Sequence, residues 1–350
     1  MNRPGRPSVT GTHAVPGTSA RPARGSRPRV SVLIVTWRRP GYVRSCLEHV
    51  AALDVRAHEV IVVDASLDDL TAAVIDDFTW ATHLRFPGGA GHMTTSRNLG
   101  LLHATGDIIA FIDDDANVRA GWMNALLDAF SDPAVGAVAG RTCNGHPGEE
   151  SEGMTAIGLV LPNGDLTGNF AADSGAVIRV HHGIGANMSF RREVLAELGG
   201  FRDDFGGVGG VREDADVFLR ASGLGFHVVF CPDAVVDHIG APHAKGQRFD
   251  YRYTFWAAHN HALLLARNFG LGSSYFRGWV GTELLRTGGS SQSTPLRRAV
   301  RAAIKASGVL AGIVVSLRKA SWNTGDPVRR DLIGERIRRH LSGVGEDPRS

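Results

Sequence analysis

An α/β fold built on a mostly parallel sheet flanked by helices is what this sequence predicts, and three observations carry it. Short apolar runs alternate with helical patterns from Val30 onward. The runs are apolar on both faces, as strands covered by helices on both sides must be. Polar clusters stand directly after them, at Thr36-Trp37-Arg38-Arg39, Asp64-Ala65-Ser66 and Asp113-Asp114-Asp115. Sheets of this kind bind ligands beyond the carboxyl ends of their strands, so these clusters are the first places to look for chemistry.

Val30 to Val35 is a β-branched run that predicts the first strand, and after Pro40 the residues Tyr42, Val43, Cys46, Leu47, Val50 and Leu53 recur at helical spacing. Glu59 to Val63 predicts a second buried strand, followed by a helix carrying Leu67, Leu70, Val74, Ile75 and Phe78. A short strand near His83 to Phe86 and a helix around Thr94 to Ala104 precede strand 107–112, which runs into the three aspartates. From about 142 to 175 Gly, Asn and Pro dominate, with a hairpin signal at Asn163-Gly164. Ala176 to Val180, Ile184 to Phe190 and Phe226 to Phe230 predict strands, and Arg191 to Leu198 and Arg212 to Ser222 predict helices. Beyond His238 the pattern is helical, near 250–269, 275–286 and 296–319. Three regions follow: a basic tail over 1–29, an α/β domain over 30–245 and a helical appendage over 246–350.

The chain has 350 residues and 43% hydrophobic content, enough for a catalytic-sized core plus an appendage. Its formal charge is +3, but Arg3, Arg6, Arg21, Arg24, Arg27 and Arg29 all precede the first strand, so the folded part is close to neutral. That tail is too poor in large apolar side chains to offset the entropy of ordering and is expected to be disordered. No Lys/Arg stripe interleaved with aromatics suggests a nucleic-acid groove. The three cysteines, Cys46, Cys143 and Cys231, are far apart and suit buried thiols in a reducing compartment. The first residues have no apolar core of a secretory signal, and no uncharged stretch reaches the roughly 18 residues of a membrane span. These features predict a cytoplasmic protein. Ala299 to Leu317 is apolar with basic flanks at Arg297, Arg298, Arg318 and Lys319. It suits either a core helix or peripheral contact with the inner face of the cell membrane through 297–319.

Three aspartates at a strand end repel one another unless a cation gathers them, and a hard divalent ion bound through oxygen is the natural remedy. In extended backbone Asp113 and Asp115 face one side and Asp114 the other, which presents an Asp-x-Asp pair. A solvated acidic turn is the alternative. An EF-hand loop is excluded, because its glycine position is Val118 and its glutamate position is Asn124. His238, after the run Ala234-Val235-Val236, would complete an O,O,N metal site; a lone histidine is more often structural. Glu213-Asp214 opens a helix whose Val217, Phe218 and Ala221 form an inward stripe. That placement suits a general base, although acids also favour a first helical turn through the macrodipole alone. Arg97 suits a phosphate or a base edge, or is a plain surface arginine. Gly206 to Gly210 reads as a flexible lid rather than a phosphate loop, since no strand precedes it. A nicotinamide-dependent oxidoreductase is excluded because the first turn lacks Gly-x-Gly-x-x-Gly. A nucleotidyltransferase or a non-catalytic nucleotide-sugar-binding protein fits the same residue chemistry.

Taken in order, Ser31-Val-Leu-Ile-Val-Thr-Trp-Arg-Arg, Glu59-Val-Ile-Val-Val-Asp-Ala-Ser, Ser96-Arg-Asn-Leu-Gly, Phe111-Ile-Asp-Asp-Asp, Gly185-Ala-Asn-Met-Ser-Phe-Arg-Arg, Gly199-Gly-Phe-Arg and Arg212-Glu-Asp-Ala-Asp-Val-Phe-Leu-Arg resemble the family 2 glycosyltransferases over roughly residues 30 to 245. The resemblance implies the GT-A fold and inverting transfer of a sugar from a nucleotide diphosphate sugar of UDP, dTDP or GDP type. The acceptor is a hydroxyl on a sugar, a lipid-linked molecule or a small molecule. It implies that Asp64 and Arg97 hold the nucleobase, with Thr36, Arg38 and Asp114 in the same donor site, and that Asp113 approaches the ribose. It further implies Mg2+ or Mn2+ on Asp115, Asp113 and His238, with Asp214, beside Glu213, as the base. A polyprenyl-phosphate sugar synthase is the alternative within the fold; its acceptor is already ionised, so the acidic pair favours a hydroxyl.

Overall fold

The apolar runs become neighbouring strands of one sheet. A computed structural model describes residues 27–86, 92–207, 211–240, 250–285, 294–321 and 330–343. Most of the predicted tail therefore lies outside the described residues. The strands are β1 (Val30–Thr36), β2 (Glu59–Asp64), β3 (Ala81–Arg85), β4 (Ile108–Asp113), β5 (Ala116–Val118), β6 (Val135–Cys143), β7 (Ile178–Arg179), β8 (Asn187–Arg191) and β9 (His227–His238). Their order is β3-β2-β1-β4-β8-β6-β9-β5, with β7 on the side of β9. Strands β1 to β4 are parallel, β8 runs antiparallel between β4 and β6, and β6 and β9 are parallel again.

Helices cover both faces. One face of the sheet meets α1 (Pro40–Ala51), α2 (Leu70–Asp76) and α4 (Trp122–Ala129) through Val43, Leu47, Ile75, Trp122 and Leu126. The other meets α3 (Met93–Leu101), α5 (Arg192–Leu198) and α6 (Glu213–Gly223), where Phe111, Phe190, Phe201 and Phe218 pack together. Phe111 meets Phe201 edge-on at 5.1 Å and Phe190 lies 4.8 Å from Phe218. Such pairs add about 0.5 to 1.5 kcal/mol each beyond their burial. The three cysteines are buried and unpaired, as expected.

Past the sheet come α7 (Tyr251–Phe269), α8 (Ser274–Leu285), α9 (Pro295–Ser316) and α10 (Arg330–Leu341). The last returns to the sheet, where Ile333, Ile337 and Leu341 join the core beneath α3 and α5. No element is expected over β5, α4 or β6, and α10 is expected only as part of the helical region beyond His238. β6 reads Val-Gly-Ala-Val-Ala-Gly-Arg-Thr-Cys, poor in the β-branched residues that mark strands. Its small residues are needed: a Cβ on Gly140 would collide with Asn187, whose amide donates to the carbonyls of Arg141 at 3.0 Å and Ala234 at 2.8 Å. Asn187 thereby closes the irregularity where β6, β8 and β9 meet. The signal at Asn163-Gly164 is a small hairpin, bridged between Val160 and Leu166, with Gly164 at φ +83°.

The glycine segment before α6 differs from a loose lid at both ends. Gly206 and Gly207 pack under the Trp256 ring, and Asn260 on α7 donates to the carbonyls of Gly206 at 2.8 Å and Val211 at 3.0 Å. The rest of the segment lies outside the described residues.

Candidate active site

The ends of β1, β2, β4 and β9 and the start of α6 converge on one acidic site. Strand alternation places Asp113 and Asp115 on one side, and β5 folds back antiparallel on β9 so that Ala116 faces His238. The Ile239 amide donates to the Asp115 carbonyl at 2.9 Å. That register brings His238 Nε2 to 3.4 Å from Asp115 Oδ1. One ligand atom from each of Asp113, Asp115 and His238 lies within 4.8 Å of the others. Two carboxylates and one imidazole in this space fit a divalent ion of the Mg2+ or Mn2+ kind.

Asp114 points the other way, into protein. Its Oδ2 accepts the Thr36 hydroxyl at 2.7 Å and its Oδ1 accepts Arg39 Nη1 at 2.9 Å. Burial pushes its pKa up to about 7, helped by Asp115 and opposed by Arg39 and Thr36. Thr36 and Asp114, expected in the donor site, are thus engaged with each other beneath it. Arg39 also reaches Asp115 at 3.5 Å.

Arg97 is buried, not a plain surface arginine. Its side chain is 1% exposed and donates to Glu213 Oε1 and Asp113 Oδ1, both at 3.3 Å, and to the Gly185 carbonyl at 3.5 Å. It bridges the two acidic motifs from within the protein. The flanking motifs hold it there. The Phe201 ring lies 5.5 Å from its guanidinium carbon, and Asn98 exchanges two 2.8 Å hydrogen bonds with the Phe201 backbone. A Cβ on Gly185 would stand 2.8 Å from Arg97 Nη2. Sequence spacing does not connect these segments; only the fold does.

The acidic pair on α6 divides its tasks. Glu213 is buried, with Oε1 on Arg97 and Oε2 without a partner among the described residues. Burial and the neighbouring Asp214 charge push its pKa up to about 7 against the pull of Arg97. Asp214 is half-buried, and its carboxylate accepts the Gly185 amide at 3.1 Å and the Ala215 amide at 2.7 Å. Gly185 therefore touches both Arg97 and Asp214. His182 carries no signal in the sequence: it is buried, its Nε2 has no hydrogen-bond partner among the described residues, and burial near Arg212 lowers its pKa against the pull of Asp214.

At the end of β2, Asp64 Oδ1 accepts the Ser66 amide at 2.9 Å while Oδ2 has no hydrogen-bond partner among the described residues, with His83 Nε2 3.8 Å away. His83 Nδ1 donates to Asp76 at 2.9 Å, so it too was a site neighbour that the sequence did not mark. Arg38, at φ +53°, donates its amide to Ser66 Oγ at 2.8 Å and its Nε to Asp68 at 2.9 Å, on the exposed rim.

Comparison with known proteins agrees with this geometry. Solved structures of the same architecture include a mannosyltransferase from Pyrobaculum calidifontis in complex with GDP-Man and Mn2+, at TM-score 0.50 and 20% identity, covering 84% of this chain and 88% of that one. Another is GalNAc-T7 with UDP, GalNAc and Mn2+, at TM-score 0.56 and 14% identity, covering 79% of this chain and 55% of that one. The fold is GT-A, that of nucleotide-sugar glycosyltransferases. Residues 31–199 match the sequence model of glycosyl transferase family 2, the family that the sequence motifs resemble. It is 28% identical over 238 residues to a glucosyl-dolichyl phosphate glucuronosyltransferase of Haloferax volcanii, spanning 65% of this chain and 72% of the relative. It is 27% identical over 246 residues to the succinoglycan biosynthesis protein ExoM of Rhizobium meliloti, spanning 68% and 75%.

Replacing Arg97 by Met leaves the buried Glu213 and the partly exposed Asp113 without their cation. Loss of one partner from a buried ion pair costs about 3 to 5 kcal/mol. Urea unfolding is expected to show a loss of that order for Arg97→Met and a smaller one for Arg97→Met with Glu213→Gln. Equal losses in the single and double variants would separate Arg97 from Glu213.

Proposed function

We propose that this glycosyltransferase is metal-dependent and inverting, and that it moves a sugar from a nucleoside diphosphate sugar onto an acceptor hydroxyl. The observation that carries this reading is the pairing of an Asp113/Asp115/His238 cluster with a half-exposed Asp214, tied together through Arg97 and Gly185. The mannosyltransferase and GalNAc-T7 structures both hold Mn2+ with a nucleotide, which favours the same ion here.

Asp113, Asp115 and His238 would hold the ion. When bound, it neutralises charge on the leaving diphosphate, a Lewis-acid contribution of several kcal/mol. The nitrogen donor inclines the set towards Mn2+ over Mg2+. Asp64, with its unpartnered Oδ2 at the end of β2, is the residue for a donor N–H of the nucleobase, and Arg38 borders the same edge.

Asp214 takes the proton from the acceptor hydroxyl as that oxygen bonds to the anomeric carbon and the bond to the diphosphate oxygen breaks on the opposite face. The nucleoside diphosphate leaves with the bonding pair, and the configuration inverts. The Gly185 and Ala215 amides hold the carboxylate in place, at some expense in basicity, because hydrogen bonds to the charged form favour it. Glu213 is excluded from this role by its burial and its contact with Arg97. It orients Arg97 instead.

Asp214→Asn is expected to lower turnover by roughly two to four orders of magnitude while leaving donor binding and the unfolding midpoint close to wild type. Turnover is read as nucleotide release in a donor screen with Mn2+ present. Near wild-type turnover in Asp214→Asn together with an inactive but folded Glu213→Gln would reverse the assignment.

Metal dependence is read separately, by titration calorimetry of GDP and UDP with and without Mn2+. Asp115→Ala should lose the metal-dependent part of the affinity and His238→Ala only some of it, since oxygen donors supply most of the grip on a hard ion. Equal metal-dependent affinity in wild type and Asp115→Ala would remove the aspartate from the site.

A further inference from the structure

Helix α9 keeps a row of large apolar side chains on its outside. Its inner face is Gly308, Val309 and Gly312, pressed on α7, with Ile313 and Val315 packed on core clusters beside them. A Cβ on Gly308 would meet the Phe255 carbonyl oxygen at 2.5 Å, and one on Gly312 would collide with that of His259. Two glycines one turn apart thus let the helices meet backbone to backbone. The outer face carries Leu296, Val300, Leu310, Val314 and Leu317, exposed by 74%, 39%, 64%, 52% and 72%. At 100° per residue these five fall in one sector of about 100°, the width of a stripe that ordinarily faces a core. The sequence left a core helix and a membrane-facing helix both open; only the inner face is packed.

Charge identifies the occupant. From Pro295 to Lys319 there is no Asp or Glu. Arg297, Arg298, Arg318 and Lys319 are exposed at the two ends of the stripe, and Arg301 lies 5.8 Å over the ring of the exposed Tyr251. A second copy of this chain, related by a twofold axis, would set these cations against one another. An anionic lipid surface complements both the stripe and its flanks. The helix is also long and apolar enough to cross a bilayer, by length and composition. Its packing argues against that orientation: Lys305 pairs with Glu283 at 2.7 Å and the glycine face is committed to α7.

We infer that the outer face of α9 docks the protein on an anionic membrane surface, with the helix in the plane of the headgroups and Leu296, Val300, Leu310, Val314 and Leu317 entering the acyl boundary. This docking is independent of the catalytic reading, and its test uses no activity. The full chain is sedimented with vesicles of phosphatidylcholine alone and of phosphatidylcholine mixed with phosphatidylglycerol. Binding is expected on the mixed vesicles alone at low salt, with release as salt is raised. Each charge removed in Arg297→Ala, Arg298→Ala, Arg318→Ala or Lys319→Ala should weaken it roughly fivefold. Leu310→Asn with Val314→Asn should abolish it without moving the unfolding midpoint, since both side chains face solvent. Absence of binding at low salt, equal binding to both vesicle types, or binding unchanged in Leu310→Asn/Val314→Asn would overturn the inference. So would protein that stays with the vesicles through high salt and alkaline carbonate, which marks a spanning helix. A dimer in vesicle-free solution that Leu310→Asn/Val314→Asn dissociates would overturn it in favour of a second copy.

Discussion

The buried guanidinium of Arg97 is the interaction on which the rest of the site depends. It is 1% exposed and lies between Asp113, at the end of a strand, and Glu213, at the start of a helix. An ion pair so deep adds little net stability against an apolar alternative, but removing one partner strands the others, so the geometry becomes obligatory. Surrounding constraints follow from it. A Cβ at Gly185 would stand 2.8 Å from Nη2 and shift the guanidinium, and the Phe201 ring lies 5.5 Å from the guanidinium carbon. Gly199 and Gly200, at φ +68° and +78°, turn the chain so that the Phe201 backbone reaches Asn98.

This arrangement decides which partners each acid takes. Arg39 and Thr36 engage Asp114, while Arg97 engages Glu213 and one oxygen of Asp113. The acidic cluster of five residues that a sequence presents as two motifs is thereby sorted by geometry. Asp115 and Asp113 face His238, and the half-buried Asp214 rests on amide hydrogen bonds from Gly185 and Ala215. Burial pushes both Asp114 and Glu213 up to about 7, and it pushes Asp113 upward as well. Asp114 and Glu213 are supports held by Thr36, Arg39 and Arg97, which leaves Asp113 and Asp115 gathered at His238 and Asp214 as the less buried acid of the α6 pair.

The sequence made much of this legible because strand alternation and apolar runs are local. β1, β2 and β4, the polar residues at their ends, and the opposed facing of Asp113 and Asp114 all follow from period-two geometry. The partnership of Asp115 with His238 rests on the register of β5, a three-residue strand whose pattern is too short to read. β6 escaped notice because close packing on Asn187 demands Gly and Ala where strands usually show β-branched residues. Arg97 invited a ligand-facing role because arginine on an exposed-looking helix commonly has one. Its burial depends on α6 and the 183–187 segment, which are remote in sequence, and so could not be read from its own neighbourhood. The same holds for the outer face of α9: a helix rich in Val, Ile and Leu reads as core until the glycines that pack it are located.

The central claim is that Asp214 serves a single displacement at the anomeric carbon, with the diphosphate leaving from the opposite face. The most direct measurement is the anomeric configuration of the first-formed product by proton NMR, with the donor that the nucleotide-release screen identifies. The account predicts a product of configuration opposite to the donor from the earliest time point. A product that retains the donor's configuration would contradict it.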